Sequence, residues 1–172
     1  LNVLTSEWGE YDTQTNDAVF NYDVTLTNPN FVLTSDTLLY NTKTQVATIV
    51  GPSNINSDEN HIYSTLGRYY TSTEQAHLLN RSVLSNDDKR LVGDSIYYDR
   101  NGGYGEAFKN VEMDDFAGKT RLLGDYTYYN ELSDSAYATQ RAVAIDYSQG
   151  DSMFIHGDTL RLLTRFPDTD SV

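Results

Sequence analysis

The chain has 172 residues, of which 38% are hydrophobic and 22% charged, with 14 Tyr, 3 Pro, no Cys and a formal net charge of -13. That length suits one domain burying roughly two-thirds of its unfolded surface. The charge excludes a nucleic-acid backbone as partner, because such binding draws on clustered Lys and Arg. The absence of Cys excludes disulfides, a thiolate metal site and a Cys nucleophile.

The first element runs through "SEWGEYD", and five close variants follow it: "SDTLLYN", "STLGRYY", "GDSIYYD", "GDYTYYN" and "GDTLRLL". The second residue of each is an anchor: Glu7, Asp36, Thr65, Asp94, Asp125 and Asp158, at steps of 29, 29, 29, 31 and 33. The chain is therefore six copies of one unit. Three residues before the anchor stand Leu4, Leu33, Ile62, Leu91, Leu122 and Ile155, and four after it Tyr11, Tyr40, Tyr69, Tyr98, Tyr129 and Leu162. Eleven after it come the small residues Ala18, Ala47, Ala76, Gly105 and Ala136.

Each unit opens on a run of period two, with Leu38/Tyr40 and Ile96/Tyr98 on one face and Glu10 or Arg68 on the other. A turn follows, as in "NTKTQ" 41–45, "DRNGG" 99–103 and "NELSD" 130–134, whose Asn, Asp and Gly suit hairpins. A second alternating run carries Ala47 and Ile49, Ala76 and Leu78, or Ala136 and Ala138. A third short run holds Val24/Leu26, Ile55, Leu84, Val111/Met113 and Val143/Ile145. Two or three short strands per unit are expected.

The apolar position before the anchor and those after it differ in parity, so a flat strand would send them to opposite faces. The chain must bend between them. Gly or Ser before the anchor, at Ser35, Gly93, Gly124 and Gly157, is expected to supply that bend. Repeated bends stack into a folded, open-ended sheet with one continuous interior.

The anchor carboxylates would lie in a row, and Asx-turn capping accounts for them better than metal binding, since Thr65 is a poor ligand. The three His, at 61, 77 and 156, share no ligand-like spacing, and no nucleophile elbow, phosphate loop or zinc motif is present. Neither an enzyme nor a cofactor nor a metal is expected.

Taken together, the acidic residue after Gly or Ser, the Tyr-Asp/Asn pair, the turn and the small-residue strand resemble the repeat of the OstA-like, LptA-type family of lipopolysaccharide-transport proteins. The best stretches are "SDTLLYNTKTQVATIVGPSNI", 35–55, and "GDSIYYDRNGGYGEAFKNVEM", 93–113. The resemblance implies an all-β fold, an antiparallel β-jellyroll folded like a taco with an open-ended apolar groove. It also implies a periplasmic location and lipopolysaccharide as the ligand, with the lipid A acyl chains in the groove. Other transport proteins, or a second copy of the chain, would join through the open sheet edges. The groove residues are then Leu38, Tyr40, Ile49, Ile55, Tyr69, Leu78, Leu84, Ile96, Tyr98, Val111, Met113, Tyr129, Val143 and Ile145. Headgroup contacts would come from basic side chains such as Arg68, Lys109 or Arg161, or be left to solvent. A structural or adhesive β-solenoid binding protein or carbohydrate is the competing reading, and it requires parallel pairing.

One domain over 1–163 is expected, with "TRFPDTDSV", 164–172, as a linker or boundary. The start at Leu1, without Met or an apolar leader, is that expected of a mature segment or fragment.

Overall fold

The computed structural model describes residues 3–57 and 60–163, which form a single twelve-stranded antiparallel sheet. The strands are β1 (Val3–Thr5), β2 (Trp8–Asp12), β3 (Asp17–Asn28), β4 (Phe31–Asn41), β5 (Val46–Asn56), β6 (His61–Tyr70), β7 (Gln75–Ser85), β8 (Lys89–Asp99), β9 (Tyr104–Asp115), β10 (Thr120–Asn130), β11 (Ser135–Asp146) and β12 (Met153–Leu163). From β3 to β12 each strand pairs with the next, while β1 and β2 pair with the two halves of β3. The tail expected over 164–172 lies outside the described residues. From the second unit to the fifth, each unit is two long strands, because the second and third runs are one strand: Ala47, Ile49 and Ile55 all belong to β5.

The hairpin turns form where Asn and Asp cluster. Asp12, Asn41, Asp99 and Asn130, each five past an anchor, accept the backbone N–H of Gln14 (2.7 Å), Thr44 (2.8 Å), Gly102 (2.7 Å) and Ser133 (3.0 Å). These are Asx turns, so the capping role expected of the anchors falls to these residues instead. Successive turns bond to one another, Thr42 N–H to Asn16 O at 3.0 Å and Glu131 N–H to Gly103 O at 2.9 Å, which stacks the units along one rim.

All strands from β3 to β12 bend at one level, and the pairing register shifts there. On the even strands the bend sits at the anchor. On the odd strands two residues oppose each anchor, and most lie in the left-handed region: Tyr22 and Asp23 (φ +64° and +50°), Asn80 and Arg81 (+62° and +54°), Lys109 and Asn110 (+59° and +49°), Gln140 and Arg141 (+59° and +61°). β5 uses Gly51 (φ +87°) followed by Pro52. One extra residue on the odd strand makes each corner a bulge that turns the strand. The small residue before the anchor has a different part from the one expected: it faces the inside of the corner, where space is short. A Cβ on Gly124 would lie 2.9 Å from the carbonyl of Thr139. Buried serines fill the same level elsewhere, bonded in pairs, Ser35 with Ser53 at 2.7 Å and Ser64 with Ser82 at 2.8 Å.

The bend divides the sheet into two leaves. In the leucine leaf an inward row runs Leu4–Leu26–Leu33–Ile55–Ile62–Leu84–Leu91–Met113–Leu122–Ala144–Ile155 across the strands. In the tyrosine leaf the inward row at the rim alternates large and small, Tyr11–Ala18–Tyr40–Ala47–Tyr69–Ala76–Tyr98–Gly105–Tyr129–Ala136–Leu162. The leaves pack face to face through three apolar clusters, each drawing on both, as when Val24 and Leu33 meet Leu38 and Ile49. The ends do not meet: β1, β2 and β12 pair on one side only, and Met153, Phe154 and Leu163 of β12 are exposed.

On the convex face of the leucine leaf, Arg90, Asp114 and Arg121 stand opposite one another on β8, β9 and β10, and both guanidiniums bind the carboxylate of Asp114, which is 1% exposed. On the convex face of the tyrosine leaf, His77, Tyr97, Tyr104, Tyr128 and Tyr137 form an aromatic ladder with centroids 4.9–5.9 Å apart. The rings cover one another's faces, stabilising the sheet through cross-strand contacts.

Candidate functional site: the interior between the leaves

The interior is built by register. Strand alternation sends the residues two and four past each anchor inward, and the corner restores the residues three before it to the same side. Tyr40, Tyr69, Tyr98 and Tyr129 occupy the rim row, Leu38, Ile49, Leu78 and Ile96 the row beneath it, Val111 the corner, and Ile55, Leu84 and Met113 the facing leaf. Twelve of the fourteen residues expected from sequence therefore stand on inward-facing positions between the leaves.

Val143 and Ile145 do not. Val143 pairs with Leu123 and His156, and Ile145 with Arg121 and Phe154, on the convex face, while Ala142 and Ala144 point inward. From the first unit to the fifth the inward positions of this run are 17 and 19 past the anchor, as at Val24/Leu26 and Val111/Met113. Counting from Asp125 gives Ala142 and Ala144; the larger apolar residues lie one place out of frame.

At its centre the interior is closed. Leu38 is 2% exposed, Ile96 1% and Ala107 0%. Towards the rim the side chains become half-buried, and the inward tyrosines turn their hydroxyls to the hairpins: Tyr98 donates to Glu131 (3.2 Å) and Tyr129 to Asp134 (3.2 Å). Burial, followed by the nearby Glu131 carboxylate, pushes the Tyr98 phenol up to about 12. Burial also raises Tyr69 and Tyr129.

The anchors lie outside, on the convex ridge. Asp94 accepts from Asn110 Nδ2 at 2.8 Å and from Arg81 at 3.3 Å, and Asp125 accepts from Arg141 Nε at 2.7 Å. That last hydrogen bond holds the Asp125 carboxyl below the usual carboxylate range. Asp94 and Asp125 thus tie down left-handed residues beside them, Arg81, Asn110 and Arg141. Successive anchors sit two strands apart, about 9–10 Å, too far to share one cation whose ligands lie about 2.0–2.6 Å from it. Among the described residues no group of three or more His, Asp or Glu is placed to hold a metal.

Arg68 and Arg161, two of the basic residues expected at a headgroup, pair with His77 and Tyr137 on the convex face, and Lys109 lies in the left-handed pair of β9 on the ridge. None reaches the interior. Lys89 does, and sequence reading passed over it. It stands two residues before Leu91, hence on the same inward face, which is the signal that could have found it. From the tip of the leucine leaf it crosses to the tyrosine leaf, donating to Asp134 and to the Tyr129 hydroxyl (3.3 Å) and lying 5.0 Å from the Tyr129 ring centroid.

Three comparisons with known proteins bear on this architecture. The family model described as OstA-like protein matches residues 1–36, the first unit and the start of the second. No curated protein matches the chain. Among solved structures, the chain is similar to LptH, the LptA-homologous periplasmic component of the lipopolysaccharide transport device of Pseudomonas aeruginosa, with a TM-score of 0.53 and 20% identity over 58% of this chain and 76% of that one. The chain shares its repeat-built antiparallel fold with that protein, and the family match is confined to residues 1–36.

Proposed function

We propose that this chain is a non-catalytic lipopolysaccharide-binding protein of the periplasm that shields acyl chains between its two leaves. The observation carrying this reading is the interior itself, where inward, mainly apolar rows pair from β1 and β2 across to β12 and, among the described residues, no strand closes either end. Such a surface suits an extended hydrocarbon, since each buried methylene contributes on the order of 0.8 kcal/mol without directional demands. The match to an OstA-like family model and the fold shared with LptH support lipopolysaccharide as the source of those chains. The parallel β-solenoid loses its ground, because every strand pair among the described residues is antiparallel.

The centre is closed in this structure, so loading requires the leaves to part. The open edges of β1, β2 and β12 then suit addition of another transport protein or a second copy, which would extend the path towards either membrane. The test is photocrosslinking to lipopolysaccharide from probes at Tyr40 and Leu84, on inward rows, with Glu10 on the convex face as control. Adducts at the two inward sites and none at Glu10 support the reading. A folded protein that gives no inward adduct has a sealed core and refutes it.

A further inference from the structure

Among the described residues, Lys89 is the only Lys or Arg of a strand that stands on an inward row. Its ion pair with Asp134 also links positions 45 residues apart, the tip of β8 in one leaf and the β10–β11 turn in the other. Elsewhere the leaves meet through apolar side chains, which can slide apart and repack on a hydrocarbon. This contact cannot repack on a hydrocarbon. Opening the mouth there separates Lys89 from Asp134 and leaves an ammonium over an apolar surface, where it needs a new anion.

A second observation lies on the same face. Thr120 Oγ1 and Thr127 Oγ1 of β10 are buried and have no hydrogen-bond partner. Thr120 shares a row with Lys89, both pairing with Asp115, and Thr127 occupies the position held by Leu38, Ile96 and Leu160 in other units. Buried hydroxyls ordinarily find partners, so two unsatisfied ones on β10, one in the row of Lys89 and one two residues from its partner Tyr129, mark a place where a ligand's polar oxygens fit.

We propose that Lys89, Tyr129 and Asp134 form a clasp across the mouth of the interior, and that the parted clasp is the anion subsite for an acylated ligand. The ligand's anionic headgroup takes the place of Asp134 at Lys89, and its polar linkage lies against Thr120 and Thr127, while the chains run on between the leaves. This assignment rests on the acyl-chain reading above. It gives a protein of net charge -13 a means of holding an anionic amphiphile: the headgroup is recognised only where the protein's own carboxylate is displaced.

The test uses two probes with the same twelve-carbon chain, dodecyl phosphate and dodecyl maltoside, titrated below their micellar concentrations by calorimetry. Wild type is expected to prefer the phosphate by about tenfold, the scale of a charge-assisted hydrogen bond. Lys89→Met should abolish the preference while keeping maltoside binding, Lys89→Arg should retain it, and Asp134→Asn should increase it by removing the competing carboxylate. Arg161→Met, on the convex face, serves as control. If Lys89→Met keeps the wild-type ratio with both probes still bound, the subsite is wrong and the acyl reading stands. If folded wild type binds neither probe, both fall together.

Discussion

The carboxylate of Asp36 occupies the space that a side chain on Gly51 would need: a Cβ there would lie 2.7 Å from Oδ2 and 2.9 Å from the Asp36 Cβ. Gly51 also holds φ at +87°, where an L side chain is strained. Gly51→Ala should therefore destabilise the protein by roughly 1–3 kcal/mol in urea unfolding. Adding Asp36→Gly, which removes both the carboxylate and the Cβ, should recover the steric part and leave the backbone part. Simple additivity of the two substitutions would mean that the contact is not what limits position 51.

The inward and outward faces separate Val111 from Val143. Val111, 1% exposed, lies inside the bend, while Val143 lies on the convex face. Val111→Ala should cost about 1–3 kcal/mol and Ile96→Ala about 2–5 kcal/mol, as cavities in a packed core. Val143→Ala should cost clearly less. Equal losses at 111 and 143 in thermal unfolding would overturn the assignment of faces.

Thr127→Val removes a buried hydroxyl that has no partner and keeps the shape of the side chain. The unliganded protein should gain about 1 kcal/mol, because an unsatisfied buried donor costs roughly that or more. A loss of stability would show that the hydroxyl is satisfied in solution.

The convex trio of Arg90, Asp114 and Arg121 predicts an asymmetry. Replacing both arginines with Met leaves the buried Asp114 carboxylate uncompensated and should cost about 3–5 kcal/mol. Asp114→Asn leaves two partly exposed guanidiniums that water can serve, and should cost less. Matching denaturant midpoints for these two variants would contradict this.

Alkali should unfold the protein earlier than a typical tyrosine-rich sheet. Burial, then hydrogen bonding with Tyr104, pushes Tyr97 up to about 12, and burial with Glu131 does the same for Tyr98. Burial pulls the Lys89 ammonium down, but its bonds with Asp134 and Tyr129 outweigh it, so this group too is raised. The folded state then holds protons that the unfolded chain releases near pH 10, so stability is full below about pH 10 and falls between there and about 12. Absorbance titration of the tyrosinates should show most phenols ionising near pH 10, with a late group that ionises only on unfolding. A single transition near 10 with the fold intact would contradict the assignment.

The sequence alone determined the unit, the period and most of the lining. Six copies of one pattern, with apolar residues at fixed places and a parity switch at each anchor, admit only a repeatedly bent sheet with one apolar side; alternation then names Leu38, Ile96 or Leu84 as inward without coordinates. Tertiary structure decided how the bend is made, which residue caps the turns, and what crosses the mouth. The left-handed pairs at Tyr22–Asp23, Asn80–Arg81, Lys109–Asn110 and Gln140–Arg141 carry no glycine, and although each holds an Asp, Asn or Gln, the bulky partner beside it takes a strained φ that only the packing of the two leaves imposes. Lys89 and Asp134 lie 45 residues apart, and only the closing of one leaf on the other brings them into contact.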